Sequence, residues 1–395
     1  MTSSLSYSSL VVYFVILMMV LRSGSLYANG CYKSIISFGD SLADTGSQEE
    51  LSHITDQLYQ CLLSPYGETF FHKPTGRCSN GRLIIDFLAE SLGLPMIQPF
   101  LHNKKTIDDR AVTFRQGVNY AVAGATALNS SFIEAEWPER SVINASLEVQ
   151  LTWFKESLPS ICGNTSDCKS FIKSSLILMG EIGGNDYSFP LFAGKSIDEF
   201  KQYVPLVTDT IISTVNELIE MGAQTLVVPG NFPIGCSSSY LTVRASDYEE
   251  YDPTTGCLVS LNEFAEYHNN MLQKKLNMIR ELHPDVNLIY ADYYNAAMQF
   301  YRSPNAFGFT NGALKACCGA GGPFNYNVTV RCGGESTTMC DQPDTYVNWD
   351  GVHLTEMAYK LIFESIFQGS YTTPQFNSLC LTSASQVGAR LSSLM

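Results

Sequence analysis

Four short apolar segments, each ending at or followed by glycine, asparagine or aspartate, constrain the fold of this chain most strongly. They lie within residues 35–42, 174–179, 225–230 and 286–292. Their length and bounding residues are typical of buried strands. Because segments with helical spacing separate them, they indicate a parallel sheet with helices on both faces. The sequence therefore predicts an α/β fold with a central parallel sheet.

The predicted helices fall between and after these strands. The clearest is 82–93, where apolar residues recur at helical spacing and Gly93 closes the segment. Further helices are predicted at 147–158, 197–221, 258–282 and 355–367, and residues 49–63 have mixed helical character.

Three other segments have compositions that predict irregular structure. Residues 64–81 form a long loop dense in proline and glycine, and such loops in compact domains are often functional. The small residues of 117–127 predict a strand or turn that another backbone segment approaches closely. Residues 308–344, rich in glycine and cysteine, predict a disulfide-bridged loop.

The amino terminus resembles a secretory signal. Its apolar run, Leu10 to Leu21, is short for a membrane-spanning helix and is followed by small and polar residues up to Ala28. We predict a signal peptide at 1–28 and a single domain at 29–395. An uncleaved anchor is the alternative, because no basic residue precedes the apolar run.

The net charge restricts the classes of possible partner, and the cysteine content indicates the cellular compartment. Removal of residues 1–28 leaves 23 basic against 38 acidic residues, a net charge of −15, which argues against nucleic acid or an anionic membrane as a partner. All twelve cysteines follow the signal, which predicts disulfides. Cys162/Cys168 and Cys236/Cys257 are the expected pairs. Zinc is the alternative, but no Cys-x-x-Cys or paired-histidine spacing supports it, and we expect neither metal nor cofactor.

Four Asn-x-Ser/Thr sequons fit the same compartment. We predict N-glycosylation at Asn129, Asn144, Asn164 and Asn327, on a monomeric protein of the extracellular space or the vacuole without a stable membrane anchor.

Ser41 follows the first predicted strand. The carboxyl ends of strands are where α/β sheets form ligand crevices. The residues after Ser41 predict a helix that begins near Ala43 and turns its N–H groups towards an anion. A serine at a strand-to-helix turn can be a hydrolase nucleophile, although Gly-x-Ser-x-Gly is absent. An ordinary turn serine is the alternative.

Three further segments supply partners for such a nucleophile. Asp350 and His353 stand three residues apart before a helix, so the carboxylate can orient the imidazole as a general base. Asn185 follows a Gly-Gly pair, and its amide could donate to an oxyanion, as could the Gly124 N–H. Structural turn residues are the alternative for each.

Taken together, these segments resemble the plant GDSL-type esterase/lipase family of the SGNH hydrolase superfamily. Residues 38–46 are similar to its block I, 117–125 to block II, 180–186 to block III and 347–353 to block V. Residues 65–71 and 76–86 also resemble this family. The resemblance spans about 31–370 and is nearest to the branch that contains sinapine esterase and acetylajmalan esterase. Ser47 departs from the asparagine that many members carry there, and we expect altered loop bonding.

The resemblance implies a three-layer α/β/α flavodoxin-like fold and a serine esterase without a cofactor. Ser41 would be the nucleophile, His353 the base and Asp350 its orienting acid. The N–H groups of Ser41 and Gly124 and the Asn185 amide would form the oxyanion hole. The expected substrate is a small-molecule ester of specialised metabolism. An acyltransferase that passes the same acyl group to an alcohol is the alternative, as is a non-catalytic binding protein.

Overall fold

A six-stranded sheet with strand order β2-β1-β3-β4-β5-β8 organises the protein. The computed structural model describes residues 32–55, 59–101, 114–136, 143–246 and 248–376. The strands are β1 Ser34–Phe38, β2 Gly117–Asn119, β3 Ser175–Met179, β4 Thr225–Pro229, β5 Asn287–Ala291 and β8 Thr372–Thr373, and a separate hairpin pairs β6 Cys318–Gly319 with β7 Thr338–Met339.

The first five strands of the sheet run parallel, in the order that characterises flavodoxin-like folds. This confirms the predicted fold class. The two-residue strand β8 adds an antiparallel edge beside β5 that the sequence did not predict. The prediction of one domain at 29–395 is not tested, because 29–31 and 377–395 lie outside the described residues, as does the signal at 1–28.

Helices cover both faces of the sheet. They are α1 Ser47–Thr55, α2 Ile84–Ser91, α3 Ser130–Glu136, α4 Leu147–Cys162, α5 Thr165–Ser174, α6 Gly184–Phe192, α7 Ile197–Lys201, α8 Val204–Glu220, α9 Ser238–Val243, α10 Val259–Leu282, α11 Tyr293–Arg302 and α12 Glu356–Phe363. Alternate residues of each strand face opposite cores, so β1 sends Ile36 to the core under α4, α8 and α10 and Ile35 to that under α2, α11 and α12. The architecture therefore has three layers.

Some predicted helices differ from the observed ones. The helix predicted at 197–221 is two helices, α7 and α8, and Pro205 lies in the first turn of α8, where its missing N–H is not needed. The helix predicted to begin near Ala43 begins at Ser47 instead. The Gly46 and Ser47 N–H groups donate to the Asp44 side chain, so they do not face the Ser41 hydroxyl.

The small-residue segment 117–127 allows the close approach that the sequence predicts. A Cβ on Gly117 would stand 2.7 Å from the Ile35 carbonyl oxygen, so β2 can pair with β1 only with glycine there. The serine at position 47 bonds across to the segment after β2, donating from its Oγ to the Ala121 carbonyl at 2.8 Å. The loop bonding around Ser47 therefore ties the first and second family segments together.

All ten cysteines among the described residues form disulfides. The expected pairs Cys162–Cys168 and Cys236–Cys257 are confirmed, and the remaining pairs are Cys61–Cys78, Cys317–Cys340 and Cys318–Cys332. The last two bridge the 308–344 loop as predicted. Cys31 and Cys380 lie outside the described residues.

Candidate active site

Ser41 lies just beyond the end of β1, next to the point where the strand order of the sheet reverses between β1 and β3. Crevices at such switch points bind ligands in open α/β sheets. The backbone here is held from two sides. The Gln150 side chain both accepts from the Gly39 N–H and donates to the Gly39 carbonyl, and the Asp40 N–H donates to the Glu181 carbonyl beyond β3.

His353 and Asp350 meet Ser41 in one hydrogen-bonded chain. His353 Nε2 lies 2.9 Å from Ser41 Oγ, and His353 Nδ1 lies 2.7 Å from Asp350 Oδ2. The second carboxylate oxygen, Oδ1, accepts the backbone N–H groups of Val352 and His353. Since Nδ1–H donates a hydrogen bond to the carboxylate, the unprotonated Nε2 is left to accept from the serine hydroxyl. The three residues that the sequence predicts as catalytic are therefore in contact.

The turn that carries these two residues depends on Gly351. Its φ is +94°, a left-handed conformation, and a Cβ there would stand 2.4 Å from the Tyr326 ring. Glycine is therefore required between the acid and the base, both sterically and for its backbone conformation.

Asp350 carries a negative charge although it is buried. Burial alone would raise the pKa of its carboxyl group, but the charge of His353 and hydrogen bonds from His353 and Tyr66 together lower the pKa to about 2. Asp350 can therefore orient the imidazole and stabilise it when it takes up a proton.

Of the predicted oxyanion donors, Asn185 lines the same pocket as Ser41. The Asn185 amide, in the first turn of α6, donates to the Ala125 carbonyl at 2.9 Å and to Asp40 Oδ2 at 3.3 Å. Ala125 directly follows Gly124 in the chain, and Asp40 directly precedes Ser41. Among the described residues, neither the Ser41 N–H nor the Gly124 N–H donates a hydrogen bond, so both remain available.

A pocket of about 80 Å³ opens beside Ser41 and Asn185. Its apolar lining is Leu42, Phe232, Pro233, Ile234, Ala297, Val352 and Leu354, and its polar lining includes Glu181, Ser188, Ser237, Tyr240, Tyr301 and Asn348. Gly124 is not among the lining residues.

A cluster of buried carboxyl groups lies behind the nucleophile, and sequence reasoning missed its charge state. Burial raises the pKa of Asp40 to about 7, with the Leu42 N–H and His353 acting in the opposite direction. Burial also raises the pKa of Asp186 to about 7. Burial and then the charge of Asp40 raise the pKa of Glu181 well above its ordinary value, and Glu181 Oε2 has no hydrogen-bond partner among the described residues.

Two further residues that the sequence did not single out contact Asp350. Tyr66 Oη donates to Asp350 Oδ2 at 2.6 Å, and Gln60 Nε2 donates to the same oxygen at 3.0 Å. Tyr66 belongs to the 64–81 segment, which its proline and glycine content predicts to be a functional loop. The sequence therefore indicated this loop but not the tyrosine within it.

Comparison with known proteins decides the family. The family model described as GDSL-like Lipase/Acylhydrolase matches residues 35–366. The chain belongs to this family. GDSL esterase/lipase At1g28590 of Arabidopsis thaliana is 54% identical over 353 residues, which cover 89% of this chain and 86% of that protein. GDSL esterase/lipase At1g28580 of the same plant is 55% identical over 355 residues, 89% of each chain.

These matches identify the protein as a GDSL esterase/lipase, a serine hydrolase of carboxylic esters. An acetylxylan esterase of Geobacillus stearothermophilus aligns with a TM-score of only 0.34 at 12% identity, over 86% of this chain and 94% of that chain. The fold assignment therefore stands on the strand order of this esterase itself. No helix of the described residues is long and apolar enough to cross a bilayer.

Proposed function

We propose that this GDSL esterase hydrolyses small-molecule esters through an acyl-enzyme on Ser41. The continuous contact from Ser41 Oγ through His353 to Asp350, at 2.9 and 2.7 Å, carries the proposal. A hydroxyl, an imidazole with a free Nε2 and an ionised carboxylate in this order are the parts that activate a serine for attack on an ester carbonyl.

The reaction has two halves. Ser41 Oγ bonds to the ester carbon while His353 takes its proton, and the proton then passes to the departing alcohol oxygen as the tetrahedral intermediate collapses. Water repeats the sequence to release the acid. Asp350 stays ionised and holds the imidazole in the required tautomer.

We assign the oxyanion hole to the N–H groups of Ser41 and Gly124 and the Asn185 amide. Among the described residues the two backbone N–H groups have no acceptor, whereas the Asn185 amide donates to Ala125 and Asp40. The bond to Asp40 is the longer one, at 3.3 Å, beyond the ordinary range for N–H···O bonds. This proton can turn to the developing negative charge at little cost.

The pocket favours a short acyl or alcohol group. Its volume of about 80 Å³ is far below the range of about 300–1,000 Å³ for sites that enclose a drug-sized ligand. The hydroxyl groups of Ser188, Ser237 and Tyr240 add hydrogen-bonding partners to its apolar wall. These features support an ester of a small, oxygenated specialised metabolite over a triglyceride.

We place the enzyme in the secretory pathway, in the extracellular space or the vacuole. Five disulfides among the described residues support an oxidising compartment. Of the sequon asparagines, Asn129, Asn144 and Asn164 are exposed and Asn327 is half-buried, so we propose all four as glycosylation sites.

A panel of acetyl, hydroxycinnamoyl and long-chain esters tests the function when assayed with the wild-type protein, Ser41→Ala and the matched control Ser91→Ala on helix α2. We expect the acetyl esters to be cleaved faster than the long-chain esters, Ser41→Ala to lose activity by several orders of magnitude, and Ser91→Ala to retain it. Near wild-type activity in Ser41→Ala would refute the mechanism. Transfer of the acyl group to an added alcohol in preference to water would identify an acyltransferase instead.

A further inference from the structure

A disulfide-closed loop reaches the acid of the candidate triad from a distant part of the chain. We call residues 60–78 the clasp loop, since the Cys61–Cys78 disulfide joins its two ends. From this loop Tyr66 donates to Asp350 Oδ2 at 2.6 Å across a sequence separation of 284 residues. Gln60 Nε2 donates to the same oxygen and also to Tyr66 Oη, at 3.0 and 2.9 Å.

The contact between Tyr66 and Asp350 is buried and rigid. The Tyr66 side chain has no exposed surface, and its ring packs edge-to-face against Trp349 with 5.8 Å between centroids. Burial, followed by the charge of Asp350, raises the pKa of Tyr66 well above its ordinary value. Tyr66 is therefore a neutral hydrogen-bond donor at every pH at which the enzyme would work.

The far end of the clasp loop is fixed to the nucleophile side of the site. Arg77 forms a two-pronged ion pair with Asp86, with both N–O distances at 2.8 Å, and its Nη1 also donates to the Thr45 carbonyl at 2.9 Å. Thr45 lies four residues beyond Ser41. One loop thus contacts both the acid and the segment that carries the nucleophile.

These donors leave the Asp350 carboxylate little freedom. Oδ1 is held by two backbone N–H groups, and Oδ2 receives His353, Tyr66 and Gln60 together. A carboxylate held only by the imidazole could turn about its Cβ–Cγ bond and change the angle of its bond to Nδ1. The tyrosine hydroxyl opposes that rotation.

We propose that Tyr66, presented by the disulfide-closed clasp loop, is a positioning residue that fixes the Asp350 carboxylate so that His353 faces Ser41. The proposal rests on the function proposed above. Tyr66 touches neither the pocket lining nor the reacting atoms, so it would act through Asp350.

Tyr66→Phe tests this role with Tyr120→Phe as the matched control. Tyr120 is also buried, and its hydroxyl also forms a 2.6 Å hydrogen bond, but with Ser157 in the core. Tyr66→Phe loses a bond to the charged Asp350 and one from Gln60, whereas Tyr120→Phe loses one neutral bond, so Tyr66→Phe should lose more stability. We expect only Tyr66→Phe to lower kcat, by roughly 10-fold, with KM within about two-fold, because the lost bond is to a charged group.

The pH profile gives a second readout. Without the Tyr66 hydroxyl, the negative charge of Asp350 attracts the protonated imidazole more strongly, so the acid limb of kcat/KM should move to higher pH. Other groups whose charge or hydroxyl dipole acts on this site are Asp40, Tyr326, Arg331 and Tyr359, and none is changed in either variant. Gln60→Leu, at a half-buried position, should move the limb in the same direction by less.

The outcomes separate the two proposals. A folded Tyr66→Phe that keeps the wild-type kcat and acid limb would overturn the positioning role. If Tyr66→Phe does not fold, an unchanged acid limb in Gln60→Leu would overturn it instead. Activity in Ser41→Ala, measured alongside, would overturn the proposed mechanism itself, whereas an inactive Ser41→Ala with a wild-type Tyr66→Phe would refute the positioning role alone.

Discussion

Two regions of buried carboxyl groups flank Ser41, and they hold opposite charge states. On one side, Asp350 is ionised, with a pKa lowered to about 2. On the other, burial raises the pKa values of Asp40 and Asp186 to about 7, and burial with the charge of Asp40 raises the pKa of Glu181 well above its ordinary value. The two regions are equally inaccessible to water, so burial alone does not decide the charge.

The difference lies in the partners. Asp350 has an imidazole as its partner and accepts from two backbone N–H groups, Tyr66 and Gln60. Among the described residues, Asp186 accepts neutral donors such as the N–H groups of Ala127 and Leu128, and the Glu181 carboxyl accepts only the Phe232 N–H, at 3.5 Å. A partner that can carry a positive charge, together with a full set of donors, keeps a buried carboxylate ionised.

Neutralising the ionised side should have the largest effect. Asp350→Asn keeps the shape but removes the charge that holds His353 in the required tautomer, so we expect kcat to fall by about 10⁴-fold. Steady-state kinetics, with melting temperatures as a control for folding, checks this. A loss below 10-fold would show that Asp350 does not orient the base.

The second largest effect concerns Asn185, which lies between the two regions. Asn185→Ala should lower kcat by about 10²–10³-fold with little change in KM, because the amide gains most when the ester oxygen becomes charged. Asn185→Asp should be at least as harmful, since a carboxylate there would repel the oxyanion instead of donating to it. A raised KM with unchanged kcat would make Asn185 a ground-state binding residue.

A smaller effect is expected in stability as the pH falls from 7.5 to 5. The pKa values of Asp40 and Asp186 near 7, and that of Asp44 near 6, exceed the ordinary 3.8 because of burial, so the folded chain binds more protons than the unfolded chain between about pH 4 and 7. Their stabilising contribution is complete below about pH 4 and is lost as the pH rises through 6 to 7.

His268 acts in the opposite sense within the same range. Burial, and then the charge of Lys275, lower its pKa to about 3, so its contribution is complete above pH 6.5 and is lost as the pH falls through 3. The stability gained from the three carboxyl groups should exceed the stability lost from the one histidine. The melting temperature should therefore be several degrees higher at pH 5 than at pH 7.5. A lower melting temperature at pH 5 would mean that the carboxyl cluster is ionised in the folded protein.

The smallest effect should follow from a substitution in the region whose carboxyl groups are protonated. Glu181→Gln replaces an uncharged acid by an amide of the same shape, so kcat/KM at neutral pH should stay within about two-fold of the wild-type value. Comparison of the activity lost in Asp350→Asn with that lost in Glu181→Gln measures the difference between the two regions directly. A large loss in Glu181→Gln would show that Glu181 works as an anion.

The sequence predicts the contacts that are local or that follow from strand order. The apolar segments at β1, β3, β4 and β5 are buried on both sides, and this makes them easy to recognise. Asp350 and His353 meet because they stand three positions apart in a tight turn. Ser41 and Asn185 meet because neighbouring parallel strands end at the same edge of the sheet.

The remainder depends on packing between distant segments. The positions of Tyr66 and Gln60 in the sequence do not predict their contact with Asp350, which lies more than 280 residues away. Helix α11 has four aromatic residues and one asparagine among its ten, types with weak helix propensity; the Asp292 side chain caps it and most of its residues are buried. The charge states of Asp40 and Glu181 depend on which hydrogen-bond donors contact them. These contacts cannot be predicted from the sequence.

Covalent labelling tests the central claim most directly. The wild-type protein would be treated with a serine-reactive fluorophosphonate probe, the residual ester hydrolysis followed with time, and the modified peptide identified by mass spectrometry. The account predicts one label per chain on Ser41, loss of activity in proportion to labelling, and no label in Ser41→Ala. Labelling of another residue, or ester hydrolysis that survives complete modification of Ser41, would contradict it.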